Sequence, residues 1–218
     1  MRSPGLVYAL FIMAEVGCVM LAAGGSTRMG TWKMILPWGS STIIEHSART
    51  ALKVCARLTL VAGFRAEELI DRFQDWPQVE VVRNPDYKTG MFSSVQAGAQ
   101  AVAEGSFFLA LADMPGVGEA IYRDLLDWNT RLSSAFALSE EAYGVIPQFR
   151  GKKGHPLLLS PQMRARILRT DVSKTLRDVL AGVPTVIVPV DEPGILHDID
   201  TPADYHFSDP ERQPRDSR

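Results

Sequence analysis

Cysteine is scarce: Cys18 and Cys55 are the only two in 218 residues, both inside apolar runs and without Cys-x-x-Cys spacing. That excludes a disulfide framework and a thiol-rich metal site, and fits two reduced, buried thiols in a cytosolic protein. A basic excess is also missing. The formal net charge is −2, so no nucleic-acid-binding surface is expected. An anionic small molecule stays possible, because local clusters of charge matter more than the total. No apolar run is long enough to span a bilayer: Leu6–Met13 is about eight residues against the roughly 20 a helix needs. No membrane association is expected. Arg2 ahead of that run resembles the charged start of a secretory leader, but Glu15 interrupts it and no clear small-x-small cleavage site follows. The expectation is therefore that residues 1–15 form an extension and that Met13 is the physiological start.

What is present is the composition of a globular protein. Hydrophobic residues make up 46% and charged residues 22%, and a chain of this length can bury a full core without staples. Short apolar runs at 16–21, 57–62, 79–82, 106–112 and 185–190 alternate with amphipathic stretches at 41–54, 65–73, 92–103, 119–130, 161–168 and 173–181. A final helix is expected within 198–205. Strand–helix alternation predicts an α/β fold of three layers, α/β/α, Rossmann-like, with a mostly parallel mixed sheet. The stretch 133–160 breaks the alternation. Turns are expected there at Gly144, Pro147, Gly151 and Gly154, in an insertion or antiparallel patch covering the site. One domain is expected over 16–207, followed by a polar, disordered tail over 208–218.

The densest chemistry lies just after the first strand, in Leu21-Ala22-Ala23-Gly24-Gly25-Ser26-Thr27-Arg28-Met29-Gly30-Thr31-Trp32-Lys33. The small residues let backbone amides approach a ligand, the hydroxyls of Ser26 and Thr27 add donors, and Arg28 and Lys33 add two cations suited to a polyphosphate. Gly25–Gly30 has the spacing of a Walker loop, but Thr31 stands where that loop needs lysine; Gly-x-Gly-x-x-Gly is absent altogether. On glycine content alone, a plain turn with two solvated cations accounts for the segment equally well.

Two acidic positions follow. Asp113 leaves the most apolar strand, in Leu109-Ala110-Leu111-Ala112-Asp113-Met114-Pro115, and an ionised carboxylate there needs a helix cap, a cation or a metal. In His197-Asp198-Ile199-Asp200-Thr201-Pro202 the two aspartates alternate, so in extended backbone they face the same way. Position alone does not choose between metal ligand and turn residue. Asn84-Pro85-Asp86 through Gly90 to Ser94 reads as a turn entering a helix, able to hold an anion or merely to cap. Gly151-Lys152-Lys153-Gly154-His155-Pro156 is basic and glycine-rich.

The loop resembles the Leu-Ala-Ala-Gly-x-Ser-x-Arg-Met-Gly-x-x-Lys signature of the nucleotidyltransferase superfamily that includes sugar-nucleotide and molybdenum-cofactor enzymes. Its continuation, Met34-Ile35-Leu36-Pro37-Trp38, is similar to the molybdenum cofactor cytidylyltransferase branch. The likeness runs with gaps from about Val16 to Tyr205 and is weakest between Leu132 and Ala142. It implies that the backbone from Leu21 through Ala22, Ala23, Gly24 and Gly25, with Ser26, Asn84, Gly90 and Ser94, binds the nucleotide. It further implies that Arg28 and Lys33 neutralise phosphates and, with Asp113, carry catalysis. Asp113 and Asp200 would hold Mg2+, with Asp198 as the rival of Asp200. Gly154, His155 and Pro156 would touch the pterin substrate. The Ala22-Ala23-Gly24 form implies CTP rather than GTP, and the second substrate would be molybdopterin, with release of pyrophosphate. Guanylyl transfer from GTP to molybdopterin, a sugar phosphate acceptor and a non-catalytic carrier are the alternatives. A transient contact with a molybdoenzyme or its chaperone is implied as well.

Overall fold

In the computed structural model, residues 16–135 and 141–208 are described; the expected amino-terminal extension, nearly all of the expected tail and residues 136–140 lie outside them. The fold is set by strands that are apolar on both faces. β1 (Gly17–Ala22) is wholly buried. Its alternating side chains divide between two layers: Cys18, Met20 and Ala22 join one core cluster, Val19 and Leu21 the other. β4 (Arg57–Ala62) and β6 (Phe107–Leu111) flank β1 in parallel, and β5 (Val79–Arg83) extends the sheet beyond β4. Strands buried on both faces must be covered by helices on both. α1 (Ile43–Leu52), α2 (Ala66–Phe73) and α4 (Glu119–Ala135) pack Ile44, Ala48, Leu69, Phe73, Tyr122 and Leu125 into the first cluster. α3 (Met91–Ala101), α5 (Pro161–Arg169) and the short α6 (Leu176–Leu180) pack Phe92, Val95, Met163, Ile167 and Val179 into the second. The expected three-layer α/β/α architecture is therefore observed.

α3 comes unusually close to β1. A Cβ on its Gly98 would lie 2.2 Å from Val19 Cγ1 and 3.0 Å from Val61 Cγ2, so only glycine permits this packing.

The segment read as irregular belongs largely to the main sheet. β7 (Gly144–Phe149), the two-residue β8 (Lys152–Lys153), β9 (Leu157–Leu159) and β10 (Thr185–Pro189) complete the strand order β10-β7-β9-β6-β1-β4-β5, with β8 paired to β7. Gly144 and Pro147, expected as turns, sit inside β7. Pro147 is tolerated because it falls between pairing with β9 (at Gly144 and Val145) and pairing with β8 (at Gln148 and Phe149), where a missing N–H breaks no ladder bond. β9 runs antiparallel to both β6 and β7. Its first residue, Leu157, is thereby placed beside Leu109, toward the end of β6 where the parallel strands finish.

Other boundaries move for local reasons. Ser41–Thr42 is β3, paired with β2 (Pro37–Trp38), so the first helix starts at Ile43 and not at Ser41. Thr42 and Glu45 form a reciprocal capping box there. A second box between Thr175 and Asp178 delays α6, shortening the helix expected from Ser173. α4 continues past Thr130 to Ala135. The last helix, α7 (Pro202–Ser208), begins only after the two aspartates. Among the described residues no helix is long and apolar enough to cross a membrane.

Candidate active site

Where the chain order reverses across a parallel sheet, the loops leaving adjacent strands diverge and open a crevice. Here the reversal is at β1, between β4 and β6. The loop after β1 is curled by Ser26, which adopts a left-handed conformation (φ 52°). Its carbonyl accepts from Met29 N at 3.0 Å and its Oγ accepts from Lys33 N at 3.2 Å. Met29 and Trp32 are buried and anchor the loop. Trp32 meets Phe64 edge-on, with the Arg65 guanidinium 4.7 Å above its ring. The result returns Lys33 to the crevice floor, with its side chain only 7% exposed.

A buried ammonium needs counter-charge, and two carboxylates supply it. Lys33 Nζ lies 2.6 Å from Asp113 Oδ2 and 2.8 Å from Asp200 Oδ1; Arg28 reaches the other oxygen of Asp200 at 2.5 Å. Backbone pairing creates the juxtaposition. Ala112 N donates to Leu21 O (3.1 Å), continuing the β1–β6 ladder, and Ile199 N donates to Asp113 O (2.9 Å), laying residues 198–200 beside it. Asp204 then fixes the turn by accepting from Asp200 N, Thr201 N and Thr201 Oγ1. The spacing Thr201-x-x-Asp204 is a capping-box pattern that the sequence displays, but Asp204 is missing from the candidates read there.

The electrostatics follow. Burial works against the Lys33 charge, but Asp113 and then Asp200 outweigh it and hold its pKa above the ordinary value. Burial likewise opposes ionisation of Asp200, yet Lys33 and Arg28 hold it low. Asp198 is pushed up by its partial burial and by the neighbouring Asp200 and Asp113 carboxylates. One oxygen from each of Asp113, Asp198 and Asp200 lies within 4.8 Å of the others. Three crowded carboxylates are a hard-oxygen donor set that fits a divalent cation. The two aspartates left as rivals by the sequence thus share one cluster.

The crevice encloses about 310 Å³, lined among others by Ala23, Gly24, Ser26, Arg28, Lys33 and Ser94. It adjoins a larger cavity of about 930 Å³, and Leu21, Met91 and Leu111 line both. Gly90, Gly154 and His155 line the larger one, with Lys153. Gly154 is constrained there: a Cβ would lie 2.2 Å from Ile195 O, a backbone atom that cannot give way. His155 is brought in by the reversed β9; its N donates to Ile195 O, and burial lowers its pKa despite the Leu109 carbonyl and Asp113 nearby. Ala22, Gly25, Asn84 and Pro156 line neither cavity. The Asn84 amide is buried and engaged internally. It donates to Ser93 Oγ and Ser94 Oγ at 2.9 Å each and accepts from Asp86 N at 3.0 Å, so it stands behind Ser94 and not in the crevice.

Several lining residues carried no sequence signal. Tyr87 lines the crevice. Met91 is 67% exposed and Val172 46%, and both border the larger cavity. Lys174 and Arg177 lie on the same border, in a stretch that reads only as helix.

The sequence pattern of the MobA-like NTP transferase domain matches residues 18–193. The chain belongs to that family. It is 36% identical over 194 residues to molybdenum cofactor cytidylyltransferase of Escherichia coli (strain K12), covering 88% of this chain and 95% of that protein. It is 32% identical over 157 residues to nicotine blue oxidoreductase of Paenarthrobacter nicotinovorans, covering 70% and 74%. Among solved structures, Rv0371c of Mycobacterium tuberculosis H37Rv superposes with a TM-score of 0.72 at 23% identity, covering 88% of this chain and 95% of that one. The same mycobacterial protein has been solved in complex with manganese (TM-score 0.65, 23% identity, 88% and 96% covered). Its likeness supports the fold; the family match makes this chain a nucleotidyltransferase of the MobA-like type.

Proposed function

We propose that this MobA-like transferase moves CMP from CTP to molybdopterin, releasing pyrophosphate and forming a cytosine dinucleotide cofactor. The observation that carries the reading is the meeting of Lys33, Arg28, Asp113 and Asp200 at the mouth of the glycine-rich loop, beside a second, larger cavity. The relative of 36% identity, covered almost end to end, carries that activity in its name. The catalytic unit in this reading spans residues 16–207, and the two free, buried thiols are consistent with the cytoplasm.

In this reading the triphosphate lies on the backbone of Ala23 and Gly24 with Ser26 and Ser94, and the acceptor fills the larger cavity against Gly154 and His155. A terminal phosphate oxygen of the acceptor attacks the α-phosphorus in line; the bond from that phosphorus to the β-phosphate oxygen breaks. The attacking oxygen is already anionic, so no protein nucleophile or general base is required. Lys33, kept protonated by its carboxylate partners, neutralises charge on the α-phosphate as it builds, and Arg28 serves the departing phosphates. Asp113 and Asp200, with Asp198 adjacent, would hold a divalent cation, Mg2+ in our reading, which would supply further charge neutralisation when bound. His155, made less basic by burial, offers the acceptor a hydrogen bond.

The test is competition among CTP, GTP and UTP with molybdopterin as acceptor, read as pyrophosphate release and as the base in the product. CTP preference by about tenfold or more, the factor that ~1.4 kcal/mol represents, is expected. Preferential use of GTP would move the chain to guanylyl transfer, and turnover with sugar phosphates alone would overturn the pterin acceptor.

A further inference from the structure

Lys33 does not merely stand near the carboxylate cluster; its ammonium bonds two of the three carboxylates that a cation would need. Nζ touches Asp113 Oδ2 and Asp200 Oδ1, from two different chain segments, at 2.6 and 2.8 Å. Each of these residues supplies one of the three oxygens that converge within 4.8 Å. The Lys33 side chain is 7% exposed and its own backbone N–H is tied to Ser26 Oγ, so the loop holds it there. Arg28 differs: it bonds Asp200 alone, and its side chain is 69% exposed.

We propose that Lys33, besides its part on the α-phosphate, makes metal entry depend on nucleotide entry, because its ammonium and the divalent cation share the Asp113 and Asp200 carboxylates. A cation arriving alone must displace a buried ammonium and leave it without counter-charge, which is unfavourable. When a triphosphate enters as well, its oxygens receive the displaced ammonium; among the described residues Lys33 is the one lysine or arginine in the buried class. Each ligand then offsets the other's cost, which is positive linkage between two sites. The inference rests on the reading of Asp113 and Asp200 as metal ligands and adds to it an order of assembly: nucleotide and cation arrive together, and the cation alone binds weakly.

The experiment titrates the full-length chain with Mn2+ alone, no nucleotide present, and follows the free aqueous ion by electron paramagnetic resonance. Four variants accompany the wild type: Lys33→Met, Lys33→Arg, Arg28→Met and Asp200→Asn. Lys33→Met keeps the buried stem and removes only the charge; Asp113 and Asp200 remain 17% and 23% exposed and can hydrate. Lys33→Gln replaces it should the melting curve show that Lys33→Met does not fold. The expected result is that Lys33→Met binds Mn2+ roughly five- to hundredfold more tightly, the usual range of coupling between sites. Lys33→Arg stays near the wild type, and Arg28→Met changes by about threefold at most, since its pair is exposed and screened. Equal tightening by Lys33→Met and Arg28→Met would mean a general charge effect and would overturn the shared-carboxylate proposal. Wild-type affinity in Lys33→Met, with binding still lost in Asp200→Asn, would overturn it while leaving the metal ligands in place. Binding that Asp200→Asn does not weaken would overturn the ligand assignment and the inference together.

Discussion

Gly98 offers the most direct test of how the fold holds the crevice. Replacing it by alanine places a methyl group 2.2 Å from Val19 Cγ1, 3.0 Å from Val61 Cγ2 and 3.3 Å from Val19 Cγ2. Contacts below 3 Å cannot persist, so something must move. Val19 is fully buried and β-branched, and its neighbour Val61 is equally buried, so neither has space to turn. Helix propensity favours alanine by ~1 kcal/mol, whereas overpacking a tight core costs about 1–3 kcal/mol. At so short a contact the upper end applies, leaving a net loss of about 1–2 kcal/mol. For a domain of this size that lowers the melting temperature by roughly 2–8 °C. The assay is thermal and urea unfolding of Gly98→Ala, Val19→Ala and the double variant. Val19→Ala alone removes two buried methyl groups and should destabilise by about 1–3 kcal/mol. In the double variant the new methyl occupies part of that space, so the loss should fall short of the sum by ~1 kcal/mol or more. Strict additivity, or a Gly98→Ala protein as stable as the wild type, would refute the account of α3 against β1. Because β1 carries Leu21 into the crevice, Gly98→Ala should also slow turnover while Gly98→Ala/Val19→Ala regains part of it.

Other perturbations separate the parts of the site. Lys33→Ala and Asp113→Ala are each expected to lower pyrophosphate release by about 10²–10³-fold or more; near-normal turnover in steady-state assays would remove the residue concerned from the mechanism. Lys174→Glu combined with Arg177→Glu should raise KM for the phosphorylated acceptor while leaving KM for the nucleotide unchanged, since both border only the larger cavity; equal changes in the two constants would dissociate that border from the acceptor. Glu45 is opposed by burial, but its bonds to Thr42 and then Arg72 hold its pKa below the ordinary value. Its contribution is therefore present above the unfolded-state pKa and is lost as pH falls through the lower folded one. Glu45→Gln should cost about 0.5–1 kcal/mol near neutrality and progressively less as the pH falls below the ordinary carboxylate range, as read from melting curves across that range.

Periodicity carried most of the fold into view. The runs that became β1, β4 and β6 are apolar enough to be buried on both faces, and their alternation with helices left little besides a parallel sheet. Where reading by periodicity fell short, long-range pairing decided the outcome. Gly144 and Pro147 are turn formers by type, yet β7 accepts both because its antiparallel partner changes from β9 to β8 across Pro147. Ser173 looked like the start of a helix until Thr175 and Asp178 capped it later. Of the candidate site, the linear loop and both acidic segments were legible because their chemistry lies in side chains concentrated along the sequence. Asn84 was legible as polar but not as inward-facing; its two serine partners become neighbours only when α3 folds over the turn. Met91 and Val172 had no legible role, since an exposed apolar side chain on a cavity border looks in sequence like any core residue.

The reversed strand β9 has a consequence for how such an enzyme can change. A sheet made only of parallel strands would need a helical crossover to bring another segment to the edge where β1 and β6 end. β9 needs none: running the opposite way, it starts at that edge and delivers Gly154 and His155 there directly. The polypeptide that surrounds the crevice after β1, residues 17–113 with 198–200, is thus largely distinct from the stretch 144–185 that walls much of the neighbouring cavity. The second wall can be re-lined, by altering β7–β9 and the residues before α6, while the loop, its cations and its aspartates stay as they are. With the sites assigned as proposed, a single scaffold can in this way keep one way of holding a nucleotide and exchange the molecule presented to it.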